Sequence, residues 1–167
     1  MSHLESIGAL SAALISELLA AGKFVSTAES CTGGWIAKSL TDNSGSSGCF
    51  GYGLVSYSNG AKQSLLGVNP ATLKHYGAVS EAVVKEMAEG ALNLSGADIA
   101  TAVSGVAGPE GNTEEKPVGT VWFAWATRNK DKYHIDTEKR LLKGERERIR
   151  AQTVIIALQG IRERIRE

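Results

Sequence analysis

The chain has few of the residues that build disulfide-stabilised or metal-dependent folds, with two cysteines and three histidines among its 167 residues. The two cysteines, Cys31 and Cys49, cannot form a disulfide framework, so we expect a reducing, cytoplasmic environment. The histidines, His3, His75 and His134, are far apart in the sequence and show no metal-ligand spacing. We therefore expect no metal site.

An excess of charge of one sign is also missing, because 18 Lys and Arg residues balance 18 Asp and Glu residues. Binding to the phosphates of nucleic acid needs a basic surplus, so we expect no nucleic-acid partner. No basic segment followed by an apolar run opens the chain, and no continuous stretch of about 18 apolar residues occurs. We therefore expect neither a signal peptide nor a membrane partner.

The composition is that of a globular protein, with 43% hydrophobic and 22% charged residues. This length can bury a sizeable core, and no linker-like segment divides it, so we expect one domain over residues 1–167. Glycine is abundant, at 19 residues, and proline is scarce, at three. Tight turns are therefore expected to rely on glycine.

The hydrophobic periodicity predicts helices and strands in the order α-β-α-β-α-α-β-β-β-α. Helices are predicted over residues 4–21, 35–40, 60–66, 69–75, 80–94 and from 144 to the end, and strands over residues 24–28, 50–57, 98–104, 118–127 and 132–142. Strands separated by helices become parallel neighbours, and the last two form a hairpin. The predicted fold class is α/β, a three-layer α/β/α domain with a mixed, mostly parallel sheet.

Residues 27–34 form the first segment whose groups could take part in binding or catalysis. They make a turn between a predicted strand and a predicted helix. It contains the hydroxyls of Ser30 and Thr32, the thiol of Cys31 and two glycines. Backbone N–H groups gather around an anion or oxyanion at such a turn, and a helix N-terminus lowers the pKa of a thiol. The same residues also suit a plain tight turn with a hydroxyl as its cap.

Residues 57–62 form the second segment, with Tyr57, a capping Ser58 and Lys62 close together. A lysine near the start of a helix, partly buried, would have a lowered pKa and could act as a general base. A Ser–Lys pair with a nearby tyrosine is one way to activate a serine without histidine. The alternative is an exposed lysine beside a packed tyrosine.

Residues 104–109 form a third segment, a loop of small residues after a predicted buried strand. Ligands often bind at this position in open α/β sheets, although the glycine spacing fits no nucleoside triphosphate or dinucleotide motif. A simple glycine turn is the alternative. Arg146 and Arg150, one turn apart on the last helix, could clamp a phosphate; for Arg150 we favour a solvated charged face.

These segments together resemble the CinA C-terminal domain family, whose stand-alone enzymatic members are nicotinamide-nucleotide amidohydrolases. The resemblance extends from Leu10 to Leu158. It is carried in order by residues 27–34, 45–47, 57–62, 77–80, 104–109, 116–121 and 146–150. It implies hydrolysis of the carboxamide of nicotinamide mononucleotide, a small-molecule substrate, without a cofactor. It also implies a homodimer or a higher homo-oligomer.

The resemblance also implies roles for individual residues. Ser30 matches the nucleophile, with Tyr57 and Lys62 as its activating partners. The oxyanion and carboxamide region would be lined by Thr32, Gly33 and Gly34. The nucleotide would be held by Ser47, Ser104, Gly105, Gly108 and Arg146, with Arg146 nearest the phosphate.

Two alternatives remain open on the sequence. A non-catalytic nucleotide-binding or regulatory domain would need the pocket but no contact between Ser30 and Lys62. A thiol hydrolase would use Cys31 in place of Ser30 and would need a lowered thiol pKa.

Overall fold

The computed structural model describes all residues from Met1 to Glu167. The elements in chain order are α1 (His3–Ala21), β1 (Val25–Glu29), α2 (Trp35–Thr41), a short 3-10 turn (Ser46–Gly48), β2 (Phe50–Val55), α3 (Asn59–Leu66), α4 (Pro70–Tyr76), α5 (Glu81–Ser95), β3 (Ile99–Gly105), β4 (Thr120–Asn129), β5 (Lys132–Leu141) and α6 (Arg146–Glu163). This order is the predicted one, and most element ends agree to within a residue or two.

The five strands form one mixed sheet in the order β2-β1-β3-β4-β5. β1 pairs in parallel with β2 and with β3, whereas β4 is antiparallel to β3 and to β5. The parallel part of the sheet is therefore β2-β1-β3, and the predicted hairpin adds the antiparallel part. The carboxyl ends of three parallel strands meet at one edge of the sheet, which is where ligands bind in such folds.

Helices cover both faces of the sheet, which confirms the predicted three-layer α/β/α architecture. On one face α1, α2 and α6 enclose a core of large side chains that includes Leu14, Ile36 and Phe123. On the other face α3, α4 and α5 cover a second core. Burial of apolar surface on both faces is the main stabilising contribution to this arrangement.

The buried apolar residues that the sheet contributes to the second core are all alanine, namely Ala28, Ala100, Ala102, Ala124 and Ala126. Small side chains let α5 approach the strands closely. Gly90 on α5 extends this close packing to α3, because a Cβ atom at Gly90 would lie 2.0 Å from the Leu66 carbonyl oxygen. The position of α3, and of every residue on it, is therefore fixed against α5 at backbone distance.

Helix α6 is fixed on the other face through Trp125 of β4. The Trp125 indole Nε1 donates a hydrogen bond to the Ala157 carbonyl at 3.1 Å. A Cβ atom at Gly160 would lie 2.1 Å from the same indole ring, so only glycine fits there. These contacts hold α6 against the sheet and bring its first residue, Arg146, to the edge where the parallel strands end.

Helix α1 is long and apolar enough to cross a membrane by length and composition alone, a test that the core helix of a globular protein also passes. In the fold, however, its apolar side packs against α6, and Leu14 and Leu18 are fully buried. Ser2 caps the helix in a capping box with Glu5, and Gly22 ends it with φ of 63°. The apolar residues of α1 thus serve the first core.

Candidate active site

A cavity of about 260 Å³ lies at the edge of the sheet where β1, β2 and β3 end. Its walls come from the segment after each of these strands and from the start of α6. The polar side chains that line it are Ser30, Tyr57, Asn59, Lys62, Ser104, Glu110 and Arg146. Three larger clefts, of about 530, 650 and 380 Å³, lie elsewhere and contain none of these residues. The three segments identified from the sequence therefore converge on one cavity.

The central contact of the cavity joins Ser30 and Lys62, whose Oγ and Nζ atoms are 2.9 Å apart. Lys62 is only 1% exposed, and its Nζ also donates to the carbonyl oxygens of Ser56 and Tyr57, each at 2.9 Å. Burial lowers the pKa of Lys62. In the structure Nζ donates to Ser30 Oγ as well as to the two carbonyls. Once neutral, the amine keeps two N–H groups for the carbonyls, and its lone pair can accept the proton of Ser30.

Local sequence explains why Lys62 points into the cavity. The Ser58 hydroxyl accepts a hydrogen bond from the Ala61 N–H at 3.0 Å and so caps α3, as expected. Lys62 then falls on the side of α3 that faces the sheet. The predicted pairing of a serine after one strand with a lysine after the next is what the structure contains.

Tyr57 reaches the pair differently from the expectation. Its carbonyl oxygen accepts from Lys62 and lies 3.5 Å from Ser30 Oγ. Its hydroxyl instead lies 3.3 Å from Nη2 of Arg146, and the side chain is more than half exposed. That hydroxyl makes no hydrogen bond to Ser30 or Lys62, so Tyr57 contacts the pair through its main chain alone.

Glu29, which the sequence analysis missed, fixes the turn that carries Ser30. Its buried carboxylate accepts hydrogen bonds from the Thr32 hydroxyl at 2.7 Å and from the N–H groups of Ile36 and Ala37 at 2.8 and 3.0 Å. Burial raises the pKa of Glu29, and these hydrogen bonds oppose that rise. The available signal was a carboxylate at the end of a strand, directly before a turn into a helix.

Thr32, Gly33 and Gly34 shape this turn but do not line the cavity, which corrects their expected place in the carboxamide region. The Thr32 hydroxyl is committed to Glu29. Gly33 and Gly34 have φ of 59° and 97°, which glycine adopts without the strain of a side chain. Of this turn, Ser30 and Cys31 are the residues that line the cavity.

Arg150 is not on a solvated charged face, so that interpretation is wrong. Its Nε and Nη2 atoms each lie 3.0 Å from a carbonyl oxygen, those of Cys31 and Thr32. Its guanidinium also lies 5.5 Å from the centre of the Trp35 ring. Arg150 therefore connects α6 to the turn that carries the candidate nucleophile.

The surroundings of Cys31 do not suit a thiol nucleophile, which requires a lowered thiol pKa. The side chain is buried, and this burial raises the pKa of the thiol to about 12. The expected lowering by a helix N-terminus does not prevail. A thiol with this pKa is protonated at neutral pH and is a poor nucleophile.

The loop after β3 forms another wall of the cavity. Ser104 lines it and is otherwise buried, with 1% exposure. A Cβ atom at Gly105 would lie 2.7 Å from Val121 Cγ2, and one at Gly108 would lie 2.6 Å from Val118 Cγ1. The glycines therefore allow this loop to pack closely against the chain that enters β4.

Arg146 is attached to the same loop, because its Nη1 donates to the Gly108 carbonyl oxygen at 2.7 Å. Its second nitrogen lies near the Tyr57 hydroxyl, so the guanidinium bridges two walls of the cavity. This placement agrees with the expectation for Arg146, Ser104, Gly105 and Gly108, all of which line the cavity.

Ser47 lies at the opposite edge of the sheet, so its expected role in holding the nucleotide is wrong within one chain. It belongs to the 3-10 turn that precedes β2. β2 is parallel to β1, with Phe50 beside Val25. A residue before β2 is therefore at the amino ends of the strands, whereas Ser30 follows the carboxyl end of β1. No group of three or more His, Cys, Asp or Glu side chains that could hold a metal ion occurs in the structure.

Comparison with known proteins identifies the family. The family model for the CinA C-terminal domain matches residues 8–165. Proteins named nicotinamide-nucleotide amidohydrolase PncC from Enterobacter agglomerans and Escherichia coli (strain K12) are each 52% identical, over 90% and 86% of both chains. The competence/damage inducible protein CihA from Agrobacterium tumefaciens has a similar structure, with a TM-score of 0.91 and 42% identity over 97% of this chain and 96% of its own. The chain belongs to the CinA C-terminal domain family.

Proposed function

We propose that this protein hydrolyses the carboxamide of nicotinamide mononucleotide, giving nicotinate mononucleotide and ammonia. The observation that carries the proposal is the 2.9 Å contact between Ser30 Oγ and Lys62 Nζ inside the cavity. Relatives at 52% identity that are named nicotinamide-nucleotide amidohydrolases support the choice of substrate.

Ser30 is the nucleophile in the proposed reaction. As its Oγ attacks the carboxamide carbon, its proton passes to the neutral amine of Lys62. The C–N bond then breaks, and Lys62 returns the proton to the departing nitrogen, which leaves as ammonia. An ester between Ser30 and the nicotinoyl group remains. A water molecule, deprotonated by Lys62, cleaves that ester and restores the Ser30 hydroxyl.

Lys62 can act as a base because its burial disfavours the charged ammonium form. Burial lowers its pKa toward the range in which a base works at neutral pH. The carbonyl oxygens of Ser56 and Tyr57 then hold the amine by its two N–H groups. Tyr57 therefore contributes to the base through its main chain, while its hydroxyl contributes next to Arg146.

The other side of the cavity suits the nucleotide. Arg146 offers a charged guanidinium that can bind a phosphate through two N–H groups. Ser104 offers a hydroxyl, and the glycines at positions 105 and 108 let a ligand approach the main chain. We assign the 5′-phosphate to Arg146 and the Tyr57 hydroxyl, which face the cavity together.

The two alternatives from the sequence are less well supported. A non-catalytic nucleotide-binding domain does not require a lysine with 1% exposure in contact with a serine. A thiol hydrolase requires an ionised Cys31, and burial raises the pKa of that thiol to about 12.

Ammonia release from nicotinamide mononucleotide, measured beside nicotinamide and nicotinamide riboside, tests the proposal. We expect the nucleotide to be hydrolysed fastest, and Ser30→Ala to lose activity while its unfolding midpoint and its binding of the nucleotide persist. Binding of the nucleotide by the wild type without ammonia release would instead establish the non-catalytic alternative. Activity in Ser30→Ala together with its loss in Cys31→Ala would establish the thiol mechanism.

A further inference from the structure

In the turn from Ser30 to α2, two main-chain N–H groups have no hydrogen-bond acceptor on another residue, those of Cys31 and Thr32, and the Cys31 N–H contacts only the thiol of its own side chain. The neighbouring N–H groups are occupied, by main-chain carbonyls at Ser30, Gly33 and Trp35 and by the Glu29 carboxylate at Gly34, Ile36 and Ala37. Buried N–H groups rarely lack an acceptor in native proteins. Thr32 has no exposed surface, whereas Cys31 lines the cavity. The free N–H group that a ligand can reach is therefore that of Cys31.

The position of the Cys31 N–H depends on the two peptide planes that flank Cys31. Each plane is rigid, because the peptide bond is planar and trans. The plane before Cys31 is held at the Ser30 carbonyl, which accepts from the Gly33 N–H at 3.1 Å. The plane after Cys31 is held at the Cys31 carbonyl, which accepts from Arg150 Nε at 3.0 Å. The second hydrogen bond of Arg150, to the Thr32 carbonyl, fixes the next plane as well.

We propose that the main-chain N–H of Cys31 stabilises the oxyanion that forms when Ser30 attacks the carboxamide, and that Arg150 is the positioning residue that holds this N–H in place. The proposal rests on the proposed function and extends it to a residue outside the cavity. Because the donor belongs to the residue after the nucleophile, it lies beside the carbon that Ser30 attacks. A donor fixed before the reaction stabilises the transition state more than the substrate.

An arginine suits this role better than a lysine would. Its planar guanidinium donates in two fixed directions, and here they meet two successive carbonyls. The ring of Trp35 lies over the same group and restricts its movement. A lysine would place one point charge there and could not fix both peptide planes in the same geometry.

The test compares Arg150→Met with Arg148→Met, a matched change at an exposed arginine on the same helix. For Arg150→Met we expect kcat for nicotinamide mononucleotide to fall by about 10- to 100-fold, less than the roughly 100- to 1000-fold cost of removing an oxyanion donor, because the Cys31 N–H is displaced and not removed. KM should stay within about threefold, since ground-state binding is not involved. The limb of the pH profile that reports Lys62 should keep its midpoint. Arg148→Met should match the wild type in each measurement.

A second readout uses the aldehyde analogue of the substrate, in which a formyl group replaces the carboxamide. Addition of Ser30 Oγ to its carbonyl carbon, with the serine proton passing to Lys62, forms a hemiacetal oxyanion beside the Cys31 N–H. Arg150→Met should weaken inhibition by this analogue about as much as it lowers kcat/KM. Inhibition by the product, nicotinate mononucleotide, should not change.

Three results would overturn the proposal: kcat within threefold of the wild type, equal weakening of the aldehyde and the product, or a rise in KM with kcat unchanged. If Arg150→Met does not fold, Arg150→Lys replaces it in the test. We expect the same changes in kcat and in inhibition by the aldehyde, with smaller losses. The wild-type rate, measured alongside, reports on the proposed function separately. If the wild type hydrolyses the substrate and the variants behave as it does, the role of Arg150 alone is refuted.

Discussion

The burial of Lys62 predicts a specific dependence of stability on pH that Lys62→Met should remove. Lys62 is 1% exposed, and burial lowers its pKa in the folded state. In the unfolded chain its pKa is about 10.4. Between the two values the unfolded chain binds more protons than the folded one, so the free energy of unfolding rises with pH. The penalty for burying this lysine is greatest below the folded pKa and disappears above the unfolded one.

The magnitude follows from the size of the pKa difference. Each unit by which burial lowers the pKa corresponds to about 1.4 kcal/mol of stability that the wild type gains as the pH rises. Lys62→Met also removes the donor for the carbonyls of Ser56 and Tyr57, which costs about 1–3 kcal/mol for each acceptor left unpaired. That cost lacks the pH dependence of the lysine titration. The pH slope, rather than the stability at one pH, therefore reports the buried amine.

Urea unfolding followed by tryptophan fluorescence from pH 6 to pH 10 measures this slope for wild type and variant. We expect the stability of the wild type relative to Lys62→Met to increase with pH. The wild-type kcat/KM should rise through the folded pKa that the stability data give. Lys74→Met, at an exposed position on α4, should leave the slope unchanged. A difference between wild type and Lys62→Met that is flat or falls with pH would refute the assignment of a lowered pKa to Lys62.

Three other substitutions test separate parts of the structure. Arg146→Ala should raise KM for the nucleotide about 10- to 100-fold, from the loss of a charge-assisted contact of about 1.5–3 kcal/mol, and equal wild-type kcat/KM for nucleotide and riboside would refute the phosphate role. Cys31→Ala should retain most ammonia release, because the thiol is protonated at neutral pH, and an inactive, folded variant would contradict this. Gly160→Ala should lower the free energy of unfolding by about 1–3 kcal/mol, because its Cβ would overlap the Trp125 ring. Gly8→Ala, which has open space around it, should raise the free energy of unfolding by about 0.5–1 kcal/mol. Urea unfolding measures both changes.

The parts of this fold that local patterns determine were predictable from the sequence. Hydrophobic periodicity, caps such as Ser58 and glycines such as Gly22 act within a few residues, so they gave the element order and the helix starts. The pairing of Ser30 with Lys62 was expected from the family resemblance, and the topology explains it, because both residues follow strands that a helix separates. Such strands are parallel, and their carboxyl ends share an edge of the sheet.

The contacts missed from the sequence depend on side-chain direction between distant segments. Arg150 lies beside acidic residues in the sequence, which favours a solvated face, yet it binds carbonyls more than a hundred positions earlier. Tyr57 was expected to be an activating partner of Ser30, and its contact with Lys62 comes from its main chain rather than from its side chain. Ser47 was placed by its motif alone, without regard to which end of the sheet its turn occupies. None of these outcomes follows from spacing or composition.

The candidate catalytic pair is divided between layers of the fold. Ser30 directly follows β1 of the sheet, Lys62 belongs to α3 on one face, and Arg146 and Arg150 belong to α6 on the other. The 2.9 Å contact between Ser30 and Lys62 therefore exists only while α3 stays docked through α5 on the alanine surface of the sheet. Turnover is thus a reporter of complete assembly. A folding intermediate that lacked either helical layer would retain much of its secondary structure but would have no catalytic activity.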